Sequence, residues 1–116
     1  MDYDKVKTLC RSLPGATEDI KWGADLVFSV GGKMFACLAA DNPDAVSFKV
    51  DDDRFLELTD REGIIPAPYL ARVKWVQVQG RKALSDKEAA ELLRRSWELV
   101  FSKLTKKQQR EINGGA

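Results

Sequence analysis

Apolar residues near the start of the chain recur with the 3.6-residue period of an α-helix. Asp2 stands in the position of an N-cap, and Pro14 and Gly15 stand where the chain would leave the helix. The apolar positions between them are Val6, Leu9, Cys10 and Leu13. This pattern predicts an amphipathic first helix that packs one face on a core.

After a loop that contains Glu18 and Asp19, the pattern changes to the two-residue period of β-strands. The alternating segments are residues 26–30, 33–38 and 45–50. Gly31-Gly32 separates the first two, and glycine accepts the positive φ that both positions of a tight hairpin turn require. Residues 41–44 form a second turn sequence, Asp-Asn-Pro-Asp. The segment is therefore predicted to be a three-stranded antiparallel meander.

The second half of the chain predicts a short helix, a fourth strand and a long last helix. The aspartates at 51–53 can cap the short helix, and the strand covers residues 74–79. Between them, two prolines in 64–69 exclude a helix. Ser85 and Glu88 form a capping box at the start of the last helix, which has a long apolar stripe and a basic end.

These elements predict an α+β fold, in which the N- and C-terminal helices flank one face of an antiparallel sheet. At 116 residues the chain is long enough for one core and too short for two. We expect a single domain over residues 1–112 and a frayed tail at 113–116. The composition, 44% hydrophobic and 32% charged, is typical of a soluble globular protein.

The chain contains no histidine, which excludes Ser-His-Asp and Cys-His catalysis and the metal sites that need an imidazole ligand. Cys10 and Cys37 lack the Cys-x-x-Cys spacing and lie in apolar surroundings, as small core residues do. The sequence leaves a disulfide between them open. We expect a protein that is not an enzyme and that holds no cofactor.

The first residues lack the basic and apolar regions of a secretion signal. No apolar run reaches the roughly 20 residues that span a bilayer. We therefore expect a cytoplasmic protein without a membrane partner, a setting that favours free thiols.

Charge is divided along the chain, although its total is only +1. Residues 41–60 hold seven carboxylates and two cations, whereas residues 61–84 hold five cations and one carboxylate. Because phosphates bind cations and bases stack on aromatic rings, the leading hypothesis is a weak, salt-dependent surface for nucleic acid. Its residues are Lys33, Lys49, Arg72, Lys74, Arg81 and Lys82 as phosphate contacts, with Tyr69 and Trp75 as stacking groups. The alternative interpretation is a set of solvated charges around core aromatics.

A second hypothesis is a binding module for a small molecule or peptide, since rigid prolines and aromatic rings could line a cleft. Its residues are Trp22, Pro66, Pro68, Tyr69 and Trp75. The acidic run at 51–53 could instead hold a hard cation. However, three consecutive residues at a helix start cannot all point into one coordination sphere, so helix capping is favoured and no metal is expected.

Several short motifs follow one another in a specific order. They are Leu-Pro-Gly-Ala-Thr-Glu at 13–18, Trp-Gly at 22–23, the segments 28–36, 66–69 and 74–76, and Leu-Arg-Arg-Ser-Trp at 93–97. Together they resemble the MmcQ/YjbR-like family of small bacterial proteins over nearly the whole chain. The resemblance implies a CyaY-like α+β fold, which is related to that of frataxin. This fold is described as a double-wing DNA-binding motif, so the resemblance implies DNA as the partner.

This chain departs from those relatives at its missing histidines. Many of them carry a histidine where this chain has Lys74, so no role of that histidine carries over. The frataxin relation would imply iron binding through an acidic ridge on the first helix. Here the acidic residues cluster after the third predicted strand, and iron binding is not expected.

Overall fold

The computed structural model describes residues 1–21, 25–39, 45–80 and 82–114. Its α-helices are α1 (Tyr3–Ser12), α2 (Asp52–Thr59), α3 (Asp86–Phe101) and α4 (Lys106–Gly114). Its strands are β1 (Ala16–Lys21), β2 (Asp25–Val30), β3 (Lys33–Leu38), β4 (Ala45–Lys49), β5 (Ile64–Pro66) and β6 (Trp75–Gln79). A 3₁₀ turn at Ala71–Val73 lies between β5 and β6.

The six strands form one antiparallel sheet in the order β1-β2-β3-β4-β6-β5. The predicted α+β class and antiparallel sheet are confirmed. Gly31 and Gly32 both have positive φ, 59° and 82°, as the predicted hairpin turn between β2 and β3 requires. The predicted turn at 41–44 lies outside the described residues.

Two strands were missed by the sequence analysis. β1 replaces the predicted loop around Glu18 and Asp19, and all but one of its residues are exposed. A strand that buries almost no side chain has no alternation of apolar and polar residues to detect. β5 is only three residues long and ends at Pro66 on the sheet edge, where a strand tolerates proline.

Helices α1, α2 and α3 share one core with a single face of the sheet. Phe28, Phe35, Phe48, Val76 and Val78 come from the strands, and Cys10, Leu58 and Leu93 come from the three helices in turn. The N-terminal helix and α3 therefore flank one sheet face, as predicted.

A buried serine joins α3 to two strands inside this core. The Ser96 hydroxyl donates to the Phe35 carbonyl oxygen at 2.7 Å and accepts from the Lys49 backbone N–H at 3.0 Å. Phe35 and Lys49 lie one position beyond Ala36 and Phe48, which are the last residues that pair between β3 and β4. Ser96 thus satisfies backbone groups that the two strands no longer satisfy for each other.

The caps of α1 and α3 follow the predictions. The Asp2 carboxylate accepts from the N–H groups of Asp4 and Lys5. Ser85 accepts from the Glu88 N–H at 3.1 Å, and a hydrogen bond from the Ser85 backbone helps to lower the pKa of the Glu88 carboxylate in return. The same carboxylate also binds Arg61 at 2.8 Å, so the capping box shares its acidic group with an ion pair.

The predicted last helix is two helices. α3 ends at Phe101, and Thr105 begins α4 with the Gln108 N–H bound to its hydroxyl and its own N–H bound to the Gln108 amide oxygen. This is a second capping box, which a continuous apolar stripe concealed. α4 extends through Asn113 and Gly114, where the sequence analysis expected a frayed tail.

Candidate functional site

The sheet face opposite the helices, here called the open face, carries a row of cross-strand neighbours. Val27, Cys37, Ser47, Gln77 and Ile65 pair in turn across β2, β3, β4, β6 and β5. Because side chains alternate along a strand, this row projects away from the core. The open face therefore holds a mixed set of polar and apolar groups.

A groove of about 490 Å³ lies on the open face, within the size range of small-molecule sites. Cys37, Ser47 and Gln77 supply its floor, and the chain segment 67–70 forms one wall. The remaining lining residues are Asp25, Met34 and Ala39. A ligand here would meet polar groups below and an apolar wall beside it.

The wall is shaped by the connection between β5 and β6. Ala67 donates its N–H to the Trp75 carbonyl oxygen at 3.0 Å, and the Trp75 N–H donates to the Leu70 carbonyl oxygen at 3.2 Å. Tyr69 has a φ of 66° and Lys74 a φ of 64°, the left-handed conformation that residues other than glycine rarely adopt. Strained backbone of this kind is frequent at binding sites, and here it adjoins a groove.

Tyr69 presents its whole side chain to solvent at the rim of the groove, with a relative exposure of 103%. The other residues of the wall are Ala67, Pro68 and Leu70. Both prolines of the segment 66–68 fix φ, so the wall is stiff on the side that leads to Tyr69. An exposed aromatic ring at the rim offers a large apolar face and a polar hydroxyl to a bound molecule.

Neutral side chains on the groove floor hold one another in place. The Gln77 amide donates to the Ser47 hydroxyl oxygen at 3.5 Å, and the Gln79 amide donates to the Gln77 amide oxygen at 3.1 Å. Burial, with a smaller effect from the Asp25 charge, raises the pKa of the Cys37 thiol to about 11. Cys37 therefore stays protonated at neutral pH and is a weak nucleophile.

Both cysteines are free thiols, which resolves the open question of a disulfide. Cys10 is fully buried in the core, and burial raises its pKa to about 12. Neither thiol has the lowered pKa of a catalytic cysteine.

Four of the predicted phosphate contacts lie at the sheet end where β4 stops and β6 starts. They are Lys33 at the hairpin tip, Lys49, Arg72 and Lys74. The Lys49 ammonium donates to the Val73 carbonyl oxygen, and the Lys74 ammonium lies 5.0 Å from the centre of the Phe55 ring. Two of these four cations are thus already held by groups of the protein.

Lys103, which follows α3 at the basic end of the predicted last helix, joins these cations. Burial lowers the pKa of Lys49, the Asp52 carboxylate opposes that effect, and the charges of Lys103 and Lys74 add to it. We call Lys49, Lys74 and Lys103 the basic group. These three lysines are far apart in the sequence, and the fold brings them close together.

The remaining predicted site residues divide into three classes. Lys82 follows β6 at the opposite end of the sheet, and Pro66 is exposed at the end of β5. Arg81 and Trp22 lie outside the described residues.

Trp75 is only 4% exposed, so the prediction that its ring stacks on a base is wrong. Residues 67 and 70 both form backbone hydrogen bonds with Trp75, so this connection folds back on the start of β6.

Charged side chains between α2 and α3 form a different kind of region. Arg61 binds Glu88 at 2.8 Å, and Arg95 binds Asp51 at 3.1 Å. The Arg61 guanidinium holds the pKa of Glu88 below its usual range. A cavity of only about 90 Å³ lies beside these ion pairs. Asp51 occupies the N-cap position of α2, but its carboxylate pairs with Arg95 instead of capping the helix.

In the part of the chain that the structure describes, no three Cys, Asp or Glu side chains converge as metal ligands would. None of the described helices is long and apolar enough to cross a membrane.

Comparison with known proteins identifies the family and the fold of this chain. A family model described as YjbR matches residues 11–99. The chain is 31% identical to a Deinococcus radiodurans protein of known crystal structure with the family-model domain DUF419, covering 95% of this chain and 86% of that one with a TM-score of 0.85. A Pseudomonas syringae protein of known crystal structure has the same fold, with 21% sequence identity and a TM-score of 0.71. The alignment covers 86% of this chain and 99% of that one. No curated protein matches the chain significantly.

Proposed function

The chain belongs to the YjbR family, and from the shape of its open face we propose that it is a binding protein for a small organic ligand. The observation that carries this proposal is the groove, which joins a neutral polar floor to a stiff apolar wall. A few fixed polar groups in a largely apolar concavity are the usual composition of a ligand site. The groove contains no activated nucleophile among its described residues, which favours binding over catalysis.

A fragment screen observed through backbone amide resonances tests this proposal. We expect fragments to shift the resonances of Ser47, Leu70 and Gln77. The variant Gln77→Trp places an indole in the groove and should weaken these fragments at least tenfold, a loss of about 1.4 kcal/mol. Its control is Asp19→Trp, which lies on the same sheet face in the edge strand β1 but outside the groove lining.

Two results would contradict a groove ligand. Fragments could shift resonances only elsewhere on the surface, or Gln77→Trp and Asp19→Trp could leave affinity equally unchanged. Both variants should first show a melting temperature close to that of the parent protein, since Gln77 also holds the Gln79 amide.

A second candidate is the DNA contact favoured by the sequence, and the basic group supports it. The charges of Lys74 and Lys103 both act on Lys49, and the exposed Arg72 lies in the same connection as Lys74. Against this, Asp52 shares the site, and Lys82 lies at the opposite end of the sheet. We therefore rank DNA binding below the groove ligand.

Fluorescence anisotropy with labelled duplex DNA at low salt tests the second candidate. Binding by the basic group should have a log–log salt slope of about −0.9 for each phosphate contacted. Lys74→Glu combined with Lys103→Glu should abolish it, whereas Lys82→Glu combined with Lys87→Glu, at the other end of the sheet, should not. Equal effects of the two pairs would point to unspecific attraction and would overturn a site at the basic group.

A further inference from the structure

Ser47 on the groove floor has a hydrogen-bond donor that the protein does not use. The residue lines the groove and is only 8% exposed. Its hydroxyl oxygen accepts from the Gln77 amide at 3.5 Å, and the hydroxyl hydrogen has no acceptor among the described residues. A nearly buried donor without an acceptor has lost water and gained no partner in exchange. An acceptor that enters the groove would complete this hydroxyl.

Gln77 places a second donor beside the first. It lies directly opposite Ser47 in the register of β4 and β6. Its amide oxygen is occupied by the Gln79 amide at 3.1 Å, and its amide nitrogen faces Ser47. That nitrogen carries two hydrogens, of which the Ser47 oxygen receives one. Because Cβ atoms of directly opposed residues are about 4.5–5.5 Å apart, one ligand atom can contact both side chains.

The rest of the floor is neutral as well. Cys37 pairs with Ser47 on the side away from Gln77, and its high pKa keeps it a thiol, which is a weak donor. None of the described lining residues is a lysine or an arginine, and Asp25 of the lining already takes part in other interactions of the protein. A carboxylate ligand would therefore lose its water without a cationic partner among the described lining residues.

The wall and rim of the groove supply apolar contacts above these donors. Pro68 and Leu70 belong to the wall, Met34 lies among the other lining residues, and the Tyr69 ring is fully exposed at the rim. Such side chains bind the hydrocarbon part of a ligand and add no hydrogen-bond requirement of their own along the wall. The groove thus joins a row of neutral donors to an apolar surface.

We infer that the groove selects a neutral carbonyl compound, a ketone or an amide, that carries a compact apolar body. This inference rests on the proposed ligand groove and specifies its chemistry. A carbonyl oxygen has two lone pairs, so it can accept from the Ser47 hydroxyl and the Gln77 amide together. The apolar body then lies against Pro68 and Leu70. A ligand of the same shape without an acceptor would cover the Ser47 hydroxyl and leave it unpaired.

Three probes of nearly equal shape test the inference: acetophenone, α-methylstyrene, in which a CH₂ group replaces the carbonyl oxygen, and benzoate. Titrations observed through the amide resonances of Leu70 and Gln77 give their affinities. We expect acetophenone to bind about tenfold more tightly than α-methylstyrene, the ratio for one buried donor left without a partner. Benzoate should bind more weakly than acetophenone, because its charge loses water in a groove with neutral donors.

The variant Ser47→Ala assigns the preference to its source. It should weaken acetophenone severalfold and leave α-methylstyrene nearly unchanged. Ser29→Ala is the matched control, because Ser29 lies between the core residues Phe28 and Val30 in β2, projects from the open face and is outside the groove lining. Equal effects of the two variants on acetophenone would overturn the role of the Ser47 hydroxyl.

The outcomes separate this inference from the proposed function. If acetophenone and α-methylstyrene bind equally, and Gln77→Trp weakens both, the carbonyl inference is overturned while the ligand groove stands. Benzoate binding as tight as that of acetophenone would overturn the choice of a neutral ligand. If none of the three probes binds at millimolar concentration, the carbonyl inference is overturned, and the fragment screen alone judges the groove. Comparison of the probes on the parent protein decides the question even if Ser47→Ala fails to fold.

Discussion

Ser96 and Ser47 are both serines of low exposure, and they lie on opposite sides of the sheet. Ser96 makes two short hydrogen bonds to the main chain of β3 and β4, at 2.7 and 3.0 Å. Ser47 accepts one long bond of 3.5 Å from Gln77 and lines the groove. The first hydroxyl holds the fold together, whereas the second has hydrogen-bonding capacity that a ligand can use.

The polar and charged side chains on the two sides of the sheet also differ in how many internal partners they have. Between α2 and α3, arginine and carboxylate groups are bound to one another beside a cavity of about 90 Å³. On the open face, polar groups border a volume of about 490 Å³. Residue type alone does not identify a site, since saturation by internal partners decides whether a polar group can take part in binding.

Removal of the Ser96 hydroxyl should have the largest effect. Ser96→Ala leaves the Phe35 carbonyl and the Lys49 N–H buried without a partner, so the free energy of unfolding should fall by about 3 kcal/mol. Urea denaturation measures it. The control is Ser102→Ala, an exposed serine at the end of α3. A loss below about 0.5 kcal/mol would mean that other groups replace the hydroxyl.

Relief of backbone strain at Tyr69, on the groove rim, should instead raise the free energy of unfolding. A non-glycine residue in the left-handed region costs about 1–2 kcal/mol, and the extra freedom of glycine in the unfolded chain offsets part of this. Tyr69→Gly should therefore stabilise the protein by about 0.5–1 kcal/mol while it weakens the fragments that bind in the groove. Parallel melting and calorimetry measure both quantities. Loss of stability would show that the conformation of Tyr69 is not strained.

The ion pair between Arg61 and Glu88 should contribute less, and its contribution should depend on pH. Because the folded-state pKa of Glu88 is lowered, its stabilisation is present above the unfolded-state pKa and is lost as pH falls through the folded-state value. Glu88→Gln should cost about 0.5 kcal/mol at pH 7, as partly exposed pairs do, and nothing in strong acid. Unfolding curves from pH 7 to pH 2 measure this. An equal cost at both ends would exclude an electrostatic cause.

Ser47→Ala should have the smallest effect on stability, below about 0.5 kcal/mol, because it removes one long hydrogen bond. If the groove binds polar ligands, the same variant should weaken them severalfold. Comparison with Ser96→Ala by melting and by titration tests the contrast directly. A stability loss as large as that of Ser96→Ala would remove the distinction between the two serines.

Local patterns predicted most of the fold, because burial of one face leaves a periodic trace in the sequence. The helix of Val6 and Cys10 and the strands around Phe28 and Phe48 were predicted in this way, and these residues form the core. β1 left no such trace, because it lies at the sheet edge with its side chains in solvent. The end of α3 at Phe101 was hidden because the apolar stripe continues past it to Leu104.

The groove was only half predictable. Pro68 and Tyr69 were selected because prolines and aromatic rings shape clefts, and both line the groove. Ser47 and Gln77 were missed, since a polar residue that alternates with core residues resembles an ordinary solvated position. Their proximity depends on the insertion of β6 between β4 and β5, a long-range pairing that no local pattern contains.

The contact between Gly31 and Leu104 has a consequence for the order in which the molecule folds. A Cβ atom at Gly31 would lie 2.7 Å from Leu104, and the Gln108 amide donates to the Gly31 carbonyl oxygen from 77 positions away. The β2–β3 hairpin can form locally and early, but its turn is covered only after α3 and α4 have docked. Long-range closure of this kind slows the last step of folding, and until it occurs the hairpin tip remains accessible to proteases.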